Sequence, residues 1–376
     1  MTHPADRLAY DRAMVAQPVW NRFTTGAEIG VAEDVLLHAG PPFDSVDQIT
    51  RPILNSACVA AVYEGLARNF QQAEGMVVAG EIQLRPAQDF GVVTPLAAVV
   101  SRSMPLHVVY DAWGGAVQAL APINGGNRPA LRLGLKSDAV LQHIQWLNTS
   151  VRDALQGGLA EGIALVPLAV QGLAGGDDCH GRTPVAGAAL VDEIVDRSGP
   201  IDGEVLEFMR GSPSLFLNLW MAATKCMMIA ASGVEDSSFI TAAAGNGAQT
   251  GIQISGRPGQ WFTTQASAPK GKFDVDLPTD RASGAIGDSA VVDAFGLGAM
   301  AVAGPGEAPK SSAMSVGEHP YFRKLNMRLG LSARSVIEAQ TGPRISLGII
   351  DRLGEAGRLG GGIYQMPLEP FENALK

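Results

Sequence analysis

The amino-acid sequence predicts a multi-domain α+β protein: an N-terminal α/β part (1–134), a helical middle (135–212) and a C-terminal α+β part (213–376). Three observations lead there. The chain has 376 residues, more than one ordinary hydrophobic core accommodates. Helical patterns cluster in the middle, while β-branched and alternating runs cut by Gly and Pro flank them on both sides. Hydrophobic residues make up 46% and charged residues 17%, enough apolar surface for well-buried cores and a hint of subunit contacts in a homo-oligomer.

In chain order, residues 4–20 read as a helix, and WNRFTTGAEIG as an irregular strand and turn. Val35-Leu36-Leu37-His38 is a short strand stopped by Gly40-Pro41-Pro42, since proline restricts the residue before it. Pro52 opens a helix through ILNSACVAAVYEGLARNF, whose small residues permit close packing. After Gly75, β-branched runs between Gly and Pro breaks predict two or three strands. The Asn124–Arg128 turn is placed to present an arginine to an anion, or is an exposed hairpin. Helices follow over 137–174, with Ser137 and Asp138 as capping candidates, then after Pro184 and over 201–210. The most apolar helix is 213–232. Ile252 and Ile254 alternate with Gln253 and Ser255 as in a half-buried strand. Asn326 to Glu338 mixes strand and helix, and the C-terminal 337–375 alternates strands with Gly-rich turns.

Composition excludes several functions. A net charge of −9 and the lack of a basic, aromatic-interleaved run argue against a nucleic-acid surface, though not against a small anion bound locally. Cys58, Cys179 and Cys226 form no Cys-x-x-Cys pair and read as reduced thiols of a cytoplasmic protein. The first dozen residues contain no apolar run of the secretory kind. SLFLNLWMAATKCMMIAA is short for a bilayer and is interrupted by Asn218 and Lys225, so a buried helix is expected and no membrane partner.

Three stretches carry candidate chemistry. In DSSFITAAAGNGAQTGIQISG, the glycines at 245, 247 and 251 let backbone N–H groups converge on an anion; the spacing is neither a Rossmann nor a P-loop pattern, and a plain turn is the alternative. Ser237, Ser238, Asn246, Gly247 and Gln249 are its binding candidates. GGDDCHGRTP is the densest cluster of reactive side chains and precedes a helix N-terminus, where anions are favoured. Asp178 and His180 are candidates for proton transfer and Arg182 for anion binding; no second ligand motif such as His-Glu-x-x-His accompanies them, so no metal and no cofactor are expected. Adjacency of Cys179 and His180 does not by itself make a nucleophile–base pair. Asp288 either caps a helix or contacts ligand, His38 faces ligand or core, and Arg344 offers a planar fork to an anion or to a surface carboxylate.

LLHAGPP (36–42), IGDSAVVDAFGLGA (286–299), GEHP (317–320) and the ending MPLEPFENAL, together with RPILNSACVAAVYEGLA, GDDCHGRT, FLNLWMAATK and GVEDSSFITAAAGNGAQTGIQISG, resemble the YlbE/YahG-like family of bacterial proteins over roughly residues 30–376. The longer members begin with a strand-rich segment that is not found before residue 30. The DDCHGRT loop also departs from relatives that tend to have Glu and Asn in places, which leaves a different substrate open. The resemblance implies a component of a carbamoyltransferase that works with FdrA-like partner subunits, in which oxalurate and phosphate give oxamate and carbamoyl phosphate. Its implied ligands are a small anionic ureido or amide substrate and phosphate. No catalytic residue is implied by the resemblance. On residue chemistry, Arg182 and Arg344 would hold carboxylate or phosphate, the 245–251 loop would supply N–H donors, His180 or Asp178 would move a proton and Asp288 would orient an amide. An amidohydrolase of a ureido or cyclic amide substrate and a non-catalytic binding subunit are the alternatives.

Overall fold

The computed structural model describes residues 3–126, 129–302, 314–318, 322, 325 and 327–376. Asn127 and Arg128 of the expected arginine-presenting turn, His319 and Pro320 of the GEHP stretch, and Asn326 lie outside the described residues. The fold is α+β, and among the described residues the strands form five separate sheets.

The first sheet is antiparallel and runs in the order 118–122, 105–111, 18–25, 163–164. The expected 4–20 helix is shorter, Pro4–Val15, because Pro18 begins the strand Pro18–Thr25. A second sheet pairs Val35–His38 in parallel with Gln83–Pro86 and antiparallel with Val99–Val100. A parallel pair needs a long crossover, here the helices Arg51–Glu64 and Phe70–Val78. The first carries proline in its first turn and ends on left-handed Gly65. Met76–Val78, read as the start of a strand, belongs to the second: its helical spacing buries Ala73 and Val77.

The helix Ser214–Ala230 is the hub. It packs on the strands 18–25, 105–111 and 118–122, on the strand 240–246 and on the N-terminal helix. Phe216, Leu219, Trp220 and Met221 are fully buried, each worth about 1.5–3 kcal/mol of transfer free energy. The two polar residues that interrupt it are used: Asn218 Nδ2 donates to the Pro122 carbonyl and Lys225 Nζ to the Thr241 carbonyl at 2.8 Å. The elements of the three sequence segments interleave around this helix. Strand 163–164 from the middle closes the first sheet, and one continuous hydrophobic core contains residues from Ala9 to Ala374.

The paired serines serve this packing. Asp6, on the N-terminal helix, is 1% exposed. It accepts from Ser237 Oγ (3.0 Å), Ser238 N (2.5 Å) and Ser238 Oγ (2.9 Å), and Arg334 lies at 3.4 Å. Ser237 and Ser238, expected to hold substrate, instead hold the first helix against the core. Asp6→Ala leaves these donors without an acceptor. It is expected to cost about 2–3 kcal/mol and to raise the amide exchange of residues 4–15 beyond that of the Ser214–Ala230 helix.

The third sheet is an antiparallel meander of Ile240–Asn246, Gln249–Ile254 and Arg257–Gln265, with Ile286–Gly287 on its other edge. The fourth pairs 315–318 with 328–331. In the last, Lys270–Phe273, Arg358–Gln365 and Arg344–Ile350 lie side by side in that order. Asp351 fixes the turn between Ile350 and Arg358: it takes a two-pronged contact from Arg281 and N–H bonds from Leu353, Glu355 and Ala356.

Candidate active site

A cavity of about 500 Å³ opens where the N-terminal part, the start of the hub helix and the last sheet meet. Asn124, Arg132, His180, Ser346, Arg358 and Gly361 are among the residues that line it. The first turn of the hub helix, with Ser214 and Leu217, forms another part of the wall.

His180 reaches the wall through the DDCHGR loop, which Asp178 braces. Asp178 Oδ1 accepts the His180 N–H at 2.8 Å and the Arg182 N–H at 2.9 Å, and its own N–H donates to the Arg182 carbonyl. Asp177 accepts the N–H groups of Val185 and Ala186 in the first turn of the Pro184–Arg197 helix. The expected anion site at this helix start is therefore filled by the chain's own carboxylate. Between Asp178 and His180, Cys179 has φ +65°, unusual for a residue with a side chain, and turns its thiol inward toward the Ala169 carbonyl. Burial pushes that thiol up, and Asp177 and Asp178 add to it, so it is not an activated nucleophile. Arg182 is largely exposed, 3.9 Å from Asp178.

The partner of His180 is Asp293, which no pattern singled out. His180 Nδ1 makes a short hydrogen bond to Asp293 Oδ2, and both side chains are buried. The other carboxylate oxygen accepts from Ala299 N at 2.8 Å and Ser346 N at 3.3 Å. Gly298 runs directly behind the pair with φ +58°, where a Cβ would come within 2.3 Å of Asp293 Oδ1, so only glycine fits there. Burial pushes the imidazole down, but the charge of Asp293, the hydrogen bond to it and the charge of Asp178 outweigh burial, and the His180 pKa lies above the usual histidine value. Asp293 is also raised, by burial first. The hydrogen bond commits Nδ1 to the carboxylate and fixes the plane of the ring in the cavity wall.

Two guanidinium groups face the same cavity. Arg132 is held by three neutral oxygens, Asn124 Oδ1 (2.9 Å), Gly125 O (3.0 Å) and Gly126 O (2.6 Å). Burial, and then repulsion from Arg358, push it down to about 10. Arg358 gives Nη1 to exposed Asp274 at 3.0 Å. Its Nη2 lies over Gly361, where a Cβ would sit 3.2 Å from it.

Most of the other sequence candidates converge as well, but away from this cavity. Gly40 N (3.1 Å) and Gln88 Nε2 (2.9 Å) donate to one oxygen of Asp288, and Thr94 N (2.8 Å) and Oγ1 (3.0 Å) to the other. Burial pushes Asp288 up to about 6 against these four bonds. It is neither a helix cap nor an amide-orienting group at the cavity; its neighbour Ser289 is the one that lines it. Asn246 Nδ2 donates to Pro41 O, and Asn246 Oδ1 accepts from Ala248 N and Gln249 N. Gly247, at φ +88°, donates its N–H to Ala285 O. Within the 245–251 loop expected to cradle an anion, the N–H groups of 247–249 are thus consumed in the hairpin. Gln249 Nε2 donates to Asp44. His38 is fully buried and stacked on Phe43; Nδ1 donates to the Ala39 carbonyl, and burial pushes the ring down to about 4. Arg344 begins its strand with its N–H on Met300 Sδ, outside the cavity lining.

Sequence reasoning reached His180 and missed Asp293, Arg132 and Arg358. Asp293 had one usable signal: a carboxylate inside the apolar run AVVDAFG must find a partner if buried. The arginines had none, since ALRLG (130–134) and GRLGGG (357–362) read equally well as surface.

A family model described as "Oxamate carbamoyltransferase subunit AllG" matches residues 82–289. The chain is 30% identical over 371 residues to the oxamate carbamoyltransferase subunit AllG of Escherichia coli (strain K12), covering 91% of this chain and 88% of that protein. It is 28% identical over 406 residues to the uncharacterized protein YahG of the same strain, covering 99% and 84%. A crystal structure of a protein of unknown function from Enterococcus faecalis V583 superposes with a TM-score of 0.90 at 25% identity, covering 99% of this chain and 96% of that one.

Proposed function

Because the chain belongs to the oxamate carbamoyltransferase subunit AllG family, we propose that it is a catalytic subunit of an oxamate carbamoyltransferase system in which His180 relays the proton. The observation that carries this reading is the buried His180–Asp293 pair in the wall of a cavity sized for small reactants. The reaction would convert oxalurate and phosphate to oxamate and carbamoyl phosphate, in the cytoplasm, together with FdrA-like partner subunits.

The chemistry needs one proton moved. A phosphate oxygen bonds to the ureido carbonyl carbon, the bond from that carbon to the oxamate nitrogen breaks, and the nitrogen must leave as an amide N–H. Nε2 of His180 would pass to the nitrogen the proton that the phosphate hydroxyl gives up, so atoms and charge balance without another reactant. Asp293 would hold the ring in one tautomer and stabilise the protonated form, and the dry wall would strengthen both effects. Asp178 acts through the loop, by fixing where the ring stands.

The test is a coupled assay of carbamoyl phosphate from oxalurate and phosphate, with the chain alone and with its FdrA-like partners. Failure to form carbamoyl phosphate in every combination, while ammonia is released without phosphate, would replace this reading with the amidohydrolase. The pH profile tests the pair itself. Asp293→Asn removes the charge that raises His180 and leaves burial, which lowers it. The acidic limb, below which Nε2 already carries a proton and cannot take one from phosphate, is expected to move to lower pH. An unmoved limb excludes His180 as the titrating group.

A further inference from the structure

We infer that Arg132, Arg358 and the first turn of the Ser214–Ala230 helix form a seat for a small oxyanion, a carboxylate or a phosphate, in the cavity that His180 also lines. Neither the family description nor the proton relay assigns these residues a task.

Two guanidiniums in one cavity repel each other, and burial makes Arg132 costlier to keep charged. Proteins settle such groups with carboxylates, yet Arg132 has no acidic partner among the described residues and rests on three neutral oxygens. Carbonyls aim a guanidinium without neutralising it. Arg358 has one carboxylate, Asp274, which is more than half exposed and takes only Nη1. The net charge of this wall is therefore positive in a protein whose net charge is −9. The hub helix adds to it: its 17 residues end at the cavity with their N-terminal, positive end. Gly361 lies under Arg358 Nη2, where any side chain would press on that nitrogen, so the strand leaves the fork room. An anion with two adjacent oxygens matches a fork of this kind.

The choice between phosphate and the carboxylate of an oxamate-like acid rests on the reading above; the positive seat does not. Isothermal titration of the full chain at low ionic strength, with inorganic phosphate and separately with oxamate, tests it without turnover. Binding of one or both is expected, and the arm that responds names the anion. Arg358→Gln, on a half-exposed residue whose loss does not threaten the fold, is expected to weaken binding by about ten-fold or more, the worth of a charge-assisted hydrogen bond. Arg132→Met is expected to do at least as much; if it unfolds, Arg358→Gln still decides. No binding of either anion to the wild type, or unchanged affinity in Arg358→Gln, overturns the inference. Anion binding that answers to Arg358 in a chain inactive in every phosphorolysis assay would instead sink the relay and leave the seat standing.

Discussion

His180→Gln is expected to lower carbamoyl phosphate formation by about 10²–10⁴-fold, the range for a positioned acid–base group. Glutamine suits the test because its amide can still donate to Asp293 Oδ2, so the carboxylate keeps a partner and the loop keeps its brace from Asp178. What glutamine cannot do is accept a proton and give it back. Anion binding measured by titration should persist in this variant, which separates lost chemistry from a lost site. A fall of less than ten-fold would mean that the proton travels by another route. Cys179→Ser, one residue away, is expected to leave the rate within about three-fold, because its thiol points into the core and burial keeps it protonated.

The second large effect is on stability. Asp288→Ala leaves the Gly40 N–H, the Gln88 amide and both Thr94 donors facing an apolar methyl, and is expected to cost about 3–5 kcal/mol in denaturant unfolding. Asp288→Asn should recover part of that. Its oxygen serves one donor pair, and the Thr94 hydroxyl can turn to accept from the amide, leaving the Thr94 N–H opposed. The pH dependence has an unusual sign. The folded pKa, about 6, lies above the ordinary 3.8, so the folded protein binds this proton more readily than the unfolded chain. Its contribution to stability is full at pH below the ordinary value and is lost as the pH rises through about 6. The stability difference between wild type and Asp288→Ala should therefore shrink between about pH 4 and 6. A difference that grows over that window would mean the carboxylate is held charged by buried Lys225, which burial pushes down to about 8 and the charge of Asp288 raises.

Residues 36–42, 245–249 and 286–288 show why motif and site came apart. Each combines glycine with a polar residue, which is what a ligand loop needs, but close packing of one backbone on another needs the same combination. Gly40 meets the backbone of Gly245 and Asn246, Asn246 reaches Pro41, and Asp288 ties Gly40 to Thr94. The polar atoms of this knot are spent on each other.

What the sequence determined by itself is local. Apolar spacing specified the hub helix, Pro52 the start of the helix Arg51–Glu64, the alternation at 252–255 a strand, the order of helical and β-branched runs an α+β chain, and the composition a well-filled interior. It also marked the DDCHGR loop as reactive, because acidic, basic and imidazole groups crowd a turn before a helix. Only the tertiary structure decided which of those groups work together. Asp293 lies 113 positions from His180, and Arg358 is 226 positions from Arg132. Their meeting depends on where the hub helix and the last sheet bring the chain back. Whether a carboxylate ends as a brace, a cap, a staple or the partner of a histidine depends on which donors fold up against it, and spacing along the chain does not record that.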